Sequence, residues 1–184
     1  MRIDDRLIKV NKYTRPGNKA DERTGIVVHW VGVAGQTAEQ VRYFFDKVCP
    51  REKHYSSAHY VIDLDGSILQ LIPDDEVAYH VASNTVPDKI VRSHGFPNHR
   101  MLGIECCVLD NNGTMTEQTY ESLIYLATIK SDKYNLFPFA GLFRHYDLTT
   151  TGKDCHRYFV RNLSEWKQFK SLVSMGVRFL RWHY

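Results

Sequence analysis

Arg144-His145-Tyr146-Asp147, followed ten positions after the histidine by Cys155 and with Lys153 two residues before that cysteine, has the composition of half a metal site. The other half is expected at His29, near the end of the apolar run Gly25-Ile26-Val27-Val28-His29-Trp30. Imidazole and thiolate are the donors Zn2+ prefers, and three protein donors with a fourth position left for water describe a catalytic zinc rather than a structural one. A hydrolase is the leading expectation.

With nine histidines in the chain, any single one is more often hydrogen-bonded or on the surface than a ligand. Position raises the standing of His29 and His145, since each falls at or just past the end of an expected strand, where side chains of different strands converge. Cys155 sits in the polar stretch Thr149-Thr150-Thr151-Gly152-Lys153-Asp154, where a merely apolar buried cysteine is out of place. A structural zinc would usually recruit a fourth protein ligand, and His156 is the residue to check for that role. Glu105 interrupts Leu102-Gly103-Ile104-Glu105-Cys106-Cys107-Val108-Leu109, and a carboxylate within such a strand is costly unless paired or placed at a site. It is either a general base of raised pKa or a glutamate bonded to a neighbouring strand or facing solvent at a sheet edge. Lys153 is either a solvated loop lysine or a cation that stabilises an oxyanion.

The elements that must position these residues are legible from periodicity. Residues 25–31 read as a central strand covered on both faces. Thr37 and Gln40 form a capping box before a helix with Val41, Phe44, Phe45 and Val48 on one face. The runs 59–64 and 67–72 around Asp65-Gly66 predict a hairpin. Another strand is expected over 102–109. Thr116 opens a helix with Tyr120, Leu123, Ile124 and Ala127 on one face, and a short strand near 140–144 delivers His145. Ser164 is expected to cap a last helix carrying Trp166, Phe169, Leu172 and Val173. Strands interleaved with helices indicate an α/β fold, a single domain over 1–184 with a central mixed β-sheet flanked by helices.

Composition bounds the rest. A chain of 184 residues buries about two thirds of its unfolded surface without staples. Its four cysteines lack the dense pattern of a disulfide scaffold, and adjacent Cys106 and Cys107 would point to opposite faces of a strand. The N-terminus mixes charges where a signal peptide would be apolar, and no run reaches transmembrane length, so a chain made in the cytoplasm and not inserted in a membrane is expected. A formal net charge of +3 is too small and scattered to indicate nucleic-acid binding.

His29 in Val-Val-His-Trp, then Ser57-Ala58-His59-Tyr60-Val61-Ile62-Asp63, Ala78-Tyr79-His80, Gly103-Ile104-Glu105 and Arg144-His145-Tyr146-Asp147 with Lys153-Asp154-Cys155 occur in the order seen in type 2 N-acetylmuramoyl-L-alanine amidases. The chain resembles the phage endolysin and bacterial autolysin branch of the peptidoglycan recognition protein superfamily, from about residue 25 to about residue 160. The resemblance implies a zinc amidase that cuts the amide between N-acetylmuramic acid and L-alanine in bacterial peptidoglycan after release to the cell wall. It implies His29, His145 and Cys155 as zinc ligands, Glu105 and Lys153 as catalytic residues, and His80 on the wall of the peptide-binding groove. Some relatives carry a catalytic tyrosine just before the His59 position; here Ala58 stands there, which shifts the acid/base burden to Glu105. Any wall-binding module is expected outside this chain. A zinc peptidase acting within the stem peptide and a non-catalytic peptidoglycan receptor are the alternatives.

Overall fold

The computed structural model describes residues 1–183. Six strands form one mixed sheet: β1 (Ile3–Asp5), β2 (Gly25–Trp30), β3 (Tyr60–Ile62), β4 (Ile68–Gln70), β5 (Met101–Cys106) and β6 (Leu142–Arg144), in the order β1-β4-β3-β5-β2-β6. Only the β3–β4 pair is antiparallel, joined at Asp65-Gly66 as expected, with Gly66 at φ +82°. The other four pairings are parallel. The helices are α1 (Ala38–Tyr43), α2 (Cys49–Arg51), α3 (Asp88–His94), α4 (Pro97–Arg100), α5 (Glu117–Lys133), α6 (Pro138–Gly141), α7 (Arg157–Arg161) and α8 (Leu163–His183).

Alternation along the strands divides the interior. Ile26 and Val28 of β2 and Leu102, Ile104 and Cys106 of β5 pack against Leu123, Leu126 and Ala127 of α5 and Trp166, Phe169 and Val173 of α8. On the other side, Val61, Leu69 and Cys107 pack with Ala38, Val41 and Phe45 from the α1 region. Cys106 and Cys107 thus serve different cores, as adjacent strand residues must, and all four cysteines are free thiols. His29 of β2 and Gly103 and Glu105 of β5 have the opposite parity, which faces away from α5 and α8.

Thr37 and Gln40 complete their capping box and Thr116 caps α5 by accepting from the Thr119 N–H. Three expectations shift. The first helix does not run on as an α-helix: a π turn occupies Phe44–Val48, so the buried positions recur at Val41, Phe45 and Cys49, and Phe44 faces solvent. Helix α8 begins at Leu163, one residue ahead of Ser164, which lies in the first turn rather than at the cap. Strand β5 ends at Cys106, because beyond Cys107 the chain heads into the turn in which Asp110 accepts from the N–H groups of Asn112 and Thr114. The N-terminal β1, too short for a periodic signal, is held by parallel pairing to β4.

Candidate metal centre

Parallel pairing of β2 with β5 sets His29 directly opposite Glu105. His145 follows β6, the neighbour of β2 on its other side. Its turn is held by Arg144, whose guanidinium is paired with Asp147 at 2.6 Å and donates to the Phe159 carbonyl. The Tyr146 N–H donates to the Cys155 carbonyl, tying the cysteine loop to the histidine turn. His29, His145 and Cys155 are all buried, with one donor atom from each lying within 4.8 Å of the others.

A hydrogen-bond relay decides which nitrogen His29 presents. The Met101 carbonyl, 3.2 Å from His80 Nε2, can only accept, so His80 carries its proton on Nε2. His80 Nδ1 is then an acceptor, 3.1 Å from His29 Nε2, which must be the protonated nitrogen of His29. That leaves the lone pair of His29 Nδ1 aimed at His145 Nδ1, 3.0 Å away, and at Cys155 Sγ, 3.9 Å away. With His145 protonated on Nδ1 the first contact is a hydrogen bond; with that proton gone, three donors converge. Tetrahedral zinc, with Zn–N of about 2.0–2.1 Å and Zn–S of about 2.3 Å, separates its donors by roughly 3.3–3.6 Å. The observed spacings bracket that requirement, so the residues fit the ion. His80 lines the adjoining groove and, through its bond to His29, orients that ring, a role of the kind that outer-shell partners play at metal sites.

The electrostatics favour neutral imidazoles. Burial lowers the pKa of His29 far below its ordinary value, that of His145 to about 3 and that of His80 to about 4. Burial pushes the Cys155 thiol up to about 12, so a cation bound there must displace its proton. Glu105 Oε2 is covered and has no hydrogen-bond partner among the described residues, while the residue lines the cleft. Burial raises the Glu105 pKa to about 8, against the opposing pull of the Lys153 charge. Among the described residues no hydrogen bond from a neighbouring strand reaches the Glu105 carboxylate, and β5 is an interior strand of the sheet rather than an edge. Lys153 is exposed and lines both this cleft and the neighbouring groove.

His156 does not join the donors: fully buried, it packs on Phe159 with ring centroids 5.1 Å apart, and neither ring nitrogen has a hydrogen-bond partner among the described residues. His59 is also elsewhere, its Nδ1 accepting from the Gly103 N–H and its Nε2 donating to the Glu76 carbonyl. Sequence reasoning missed Asn98, which accepts from the His80 and Val81 N–H groups and donates to the Val81 carbonyl, fixing the segment that carries His80. Its partners are backbone groups about 17 residues away, for which a sequence carries no local signal. Beside the cleft lies a groove of about 770 Å³ lined by Tyr55, Tyr79, Phe96 and Asn98 and sharing His80, His145 and Lys153 with the donor cluster.

The N-acetylmuramoyl-L-alanine amidase family matches residues 19–157. A probable N-acetylmuramoyl-L-alanine amidase of Bacillus licheniformis is 33% identical over 174 residues, 94% of this chain and 47% of that protein. The N-acetylmuramoyl-L-alanine amidase BlyA of Bacillus subtilis (strain 168) is 31% identical over 175 residues, 90% of this chain and 45% of that protein. The chain spans about half the length of the curated relatives it matches. Among solved structures, a mutant endolysin from Bacillus subtilis superposes with a TM-score of 0.71 at 21% identity, covering 94% of this chain and 98% of that one. PlyL does so with a TM-score of 0.74 at 19% identity, covering 96% and 99%; at such identities the likeness is one of fold. With the family match extending over most of the chain, from before the strand that bears His29 to beyond Cys155, the protein belongs to the N-acetylmuramoyl-L-alanine amidase family.

Proposed function

We propose that this chain is a zinc-dependent N-acetylmuramoyl-L-alanine amidase, hydrolysing the amide between the lactyl group of N-acetylmuramic acid and L-alanine in peptidoglycan. The observation that carries the reading is the convergence of two neutral imidazoles and one thiol within 4.8 Å, with Glu105 opposite His29 on the next strand. His29, His145 and Cys155 would hold the zinc. Bound there, the ion supplies Lewis acidity, lowering the pKa of water and polarising the scissile carbonyl.

Glu105 accepts the proton of the attacking water and returns it to the leaving L-alanine nitrogen, its covered Oε2 engaged by no other donor among the described residues. No phenol precedes His59: Ala58 is fully buried, so Glu105 carries the acid/base work without help from that position. Lys153 lines both cleft and groove, and its ammonium would stabilise the charge that develops on the carbonyl oxygen. The aromatic groove, which shares His80, His145 and Lys153 with the donor cluster, would accommodate the stem peptide that must lie across the cleft for its first amide to reach Glu105.

Digestion of purified peptidoglycan, with and without a zinc chelator, followed by mass spectrometry of the fragments tests the reading. Stem peptides beginning with free L-alanine, absent after chelation and restored by added zinc, are the expected products. Cleavage elsewhere in the stem would make the protein a peptidase, and binding without cleavage would make it a receptor.

A further inference from the structure

We infer that Arg157 is a positioning residue for the three-donor site, pinning the strand end that carries His29 to the loop that carries Lys153 and Cys155. The inference rests on the reading of His29, His145 and Cys155 as metal donors. These come from segments far apart in the chain, and β2–β6 pairing accounts for the placement of His29 against His145 only. Cys155 lies in a stretch without strand or helix, so something other than a ladder must hold its thiol near the histidines.

The Arg157 guanidinium meets three segments at once. Its centre lies 4.7 Å from the ring of Trp30, the residue after His29. Its Nε donates to Asp154 Oδ2 at 3.0 Å, between Lys153 and Cys155. Its third contact is a 2.6 Å bond to the Asn111 carbonyl, in the turn that follows β5 and its Glu105. That turn abuts the start of α7 closely enough that a Cβ on Gly113, at φ +81°, would sit 3.0 Å from the Tyr158 nitrogen. Each of the three segments thus carries, within a few residues, a member of the site. The guanidinium lies over the indole ring while its N–H groups donate to two other segments, a combination that an ammonium cannot reproduce.

Arg161, one turn further along α7, also donates to Asp154 Oδ2 at 3.0 Å and, at 3.4 Å, to Asn112 Oδ1 in the same turn as Asn111, but it does not reach Trp30 and its side chain is more exposed, 52% against 29% for Arg157. It supplies the internal control. Removing Arg161 leaves the Trp30 contact and the Asn111 bond in place, whereas removing Arg157 takes away the one side chain of the pair that joins Trp30 to the Asp154 loop and the Asn111 turn, a link Arg161 does not replace.

The test is metal binding by the whole chain, with Arg157→Ala, Arg157→Lys and Arg161→Ala compared with the unaltered protein. Zinc affinity is read by competition with a chromophoric chelator, the thiolate-to-metal charge-transfer band by cobalt substitution, and folding by the Tm of the metal-free protein. Loss of an outer-shell partner typically costs about 10–100-fold in metal affinity. Both Arg157 variants are expected to lose affinity in that range and to weaken the cobalt–thiolate band, the lysine variant with a near-normal metal-free Tm, and Arg161→Ala to stay within about threefold. Zinc affinity and cobalt spectrum unchanged in Arg157→Lys would overturn the inference while leaving the zinc-amidase reading intact, as would an equal loss in Arg161→Ala. An unaltered protein that binds no zinc would overturn both.

Discussion

Glu105 and Cys155 carry the sharpest consequences at the level of single residues. Replacing Glu105 by Gln removes the proton acceptor while keeping the side chain's shape, so zinc should remain bound and turnover on peptidoglycan should fall at least about a hundredfold, read as the rate of stem-peptide release. Near-normal turnover would return Glu105 to a structural role. Cys155→Ser exchanges a soft thiolate for a hydroxyl that does not ionise at neutral pH, so zinc and activity should be lost together, as measured by metal content after dialysis and by peptidoglycan digestion. Tight zinc binding with undiminished turnover in that variant would remove Cys155 from the site. These side chains were legible in the sequence because they break the pattern around them: Glu105 in an apolar strand, Cys155 in a polar loop. His80 was only half legible, since its bond to His29 depends on where two distant segments come to rest.

At the level of elements, register between parallel strands does the positioning. Because Gly103 and Glu105 share a face of β5, a cost at one is felt beside the other. A Cβ at Gly103 would lie 2.7 Å from His80 Cγ, too close for the ring to stay where it is. Gly103→Ala should therefore displace His80, break the relay that leaves His29 Nδ1 unprotonated, and weaken zinc binding by about 10–100-fold, the scale of losing an outer-shell partner. Competition titration of zinc checks this, and unchanged affinity would mean that His29 is oriented without His80. The hairpin, both side-chain caps and the heavy burial of β2 follow from short-range patterns in the sequence. The π turn after α1 does not, because Phe44 and Phe45 are equally apolar and only packing against the sheet selects which one is buried.

Across the whole molecule, Asp74 links the site-bearing segment to the far side of the sheet. Its carboxylate accepts from Lys130 at 2.7 Å, Lys133 at 2.9 Å and Tyr134 at 2.8 Å on or just after α5, and from the Tyr60 hydroxyl on β3. Burial alone would raise the Asp74 pKa, but the bonds from Lys130, Tyr60 and Lys133 outweigh it and hold the carboxyl well below its usual range. Burial keeps the Lys130 ammonium below its ordinary value despite the pair, so the attraction only partly offsets desolvation on that side. A depressed folded-state pKa means that the stabilisation is complete above the ordinary carboxylate value of 3.8 and is lost as the pH falls below it. Asp74→Ala should cost about 3–5 kcal/mol at pH 7, with the gap to the unaltered protein narrowing below about pH 4, as read by urea unfolding at both pH values. A gap independent of pH would assign the loss to packing rather than to charge. By itself the sequence determined the kind of chemistry, the α/β class and most of the elements, since donor types, periodicity and turn residues act over a few positions. Only the tertiary structure decided that His29, His145 and Cys155 meet, that His80 sets the tautomer of His29, and that Asp74 ties α5 to the sheet, because those facts depend on strand order and register, which no local pattern encodes.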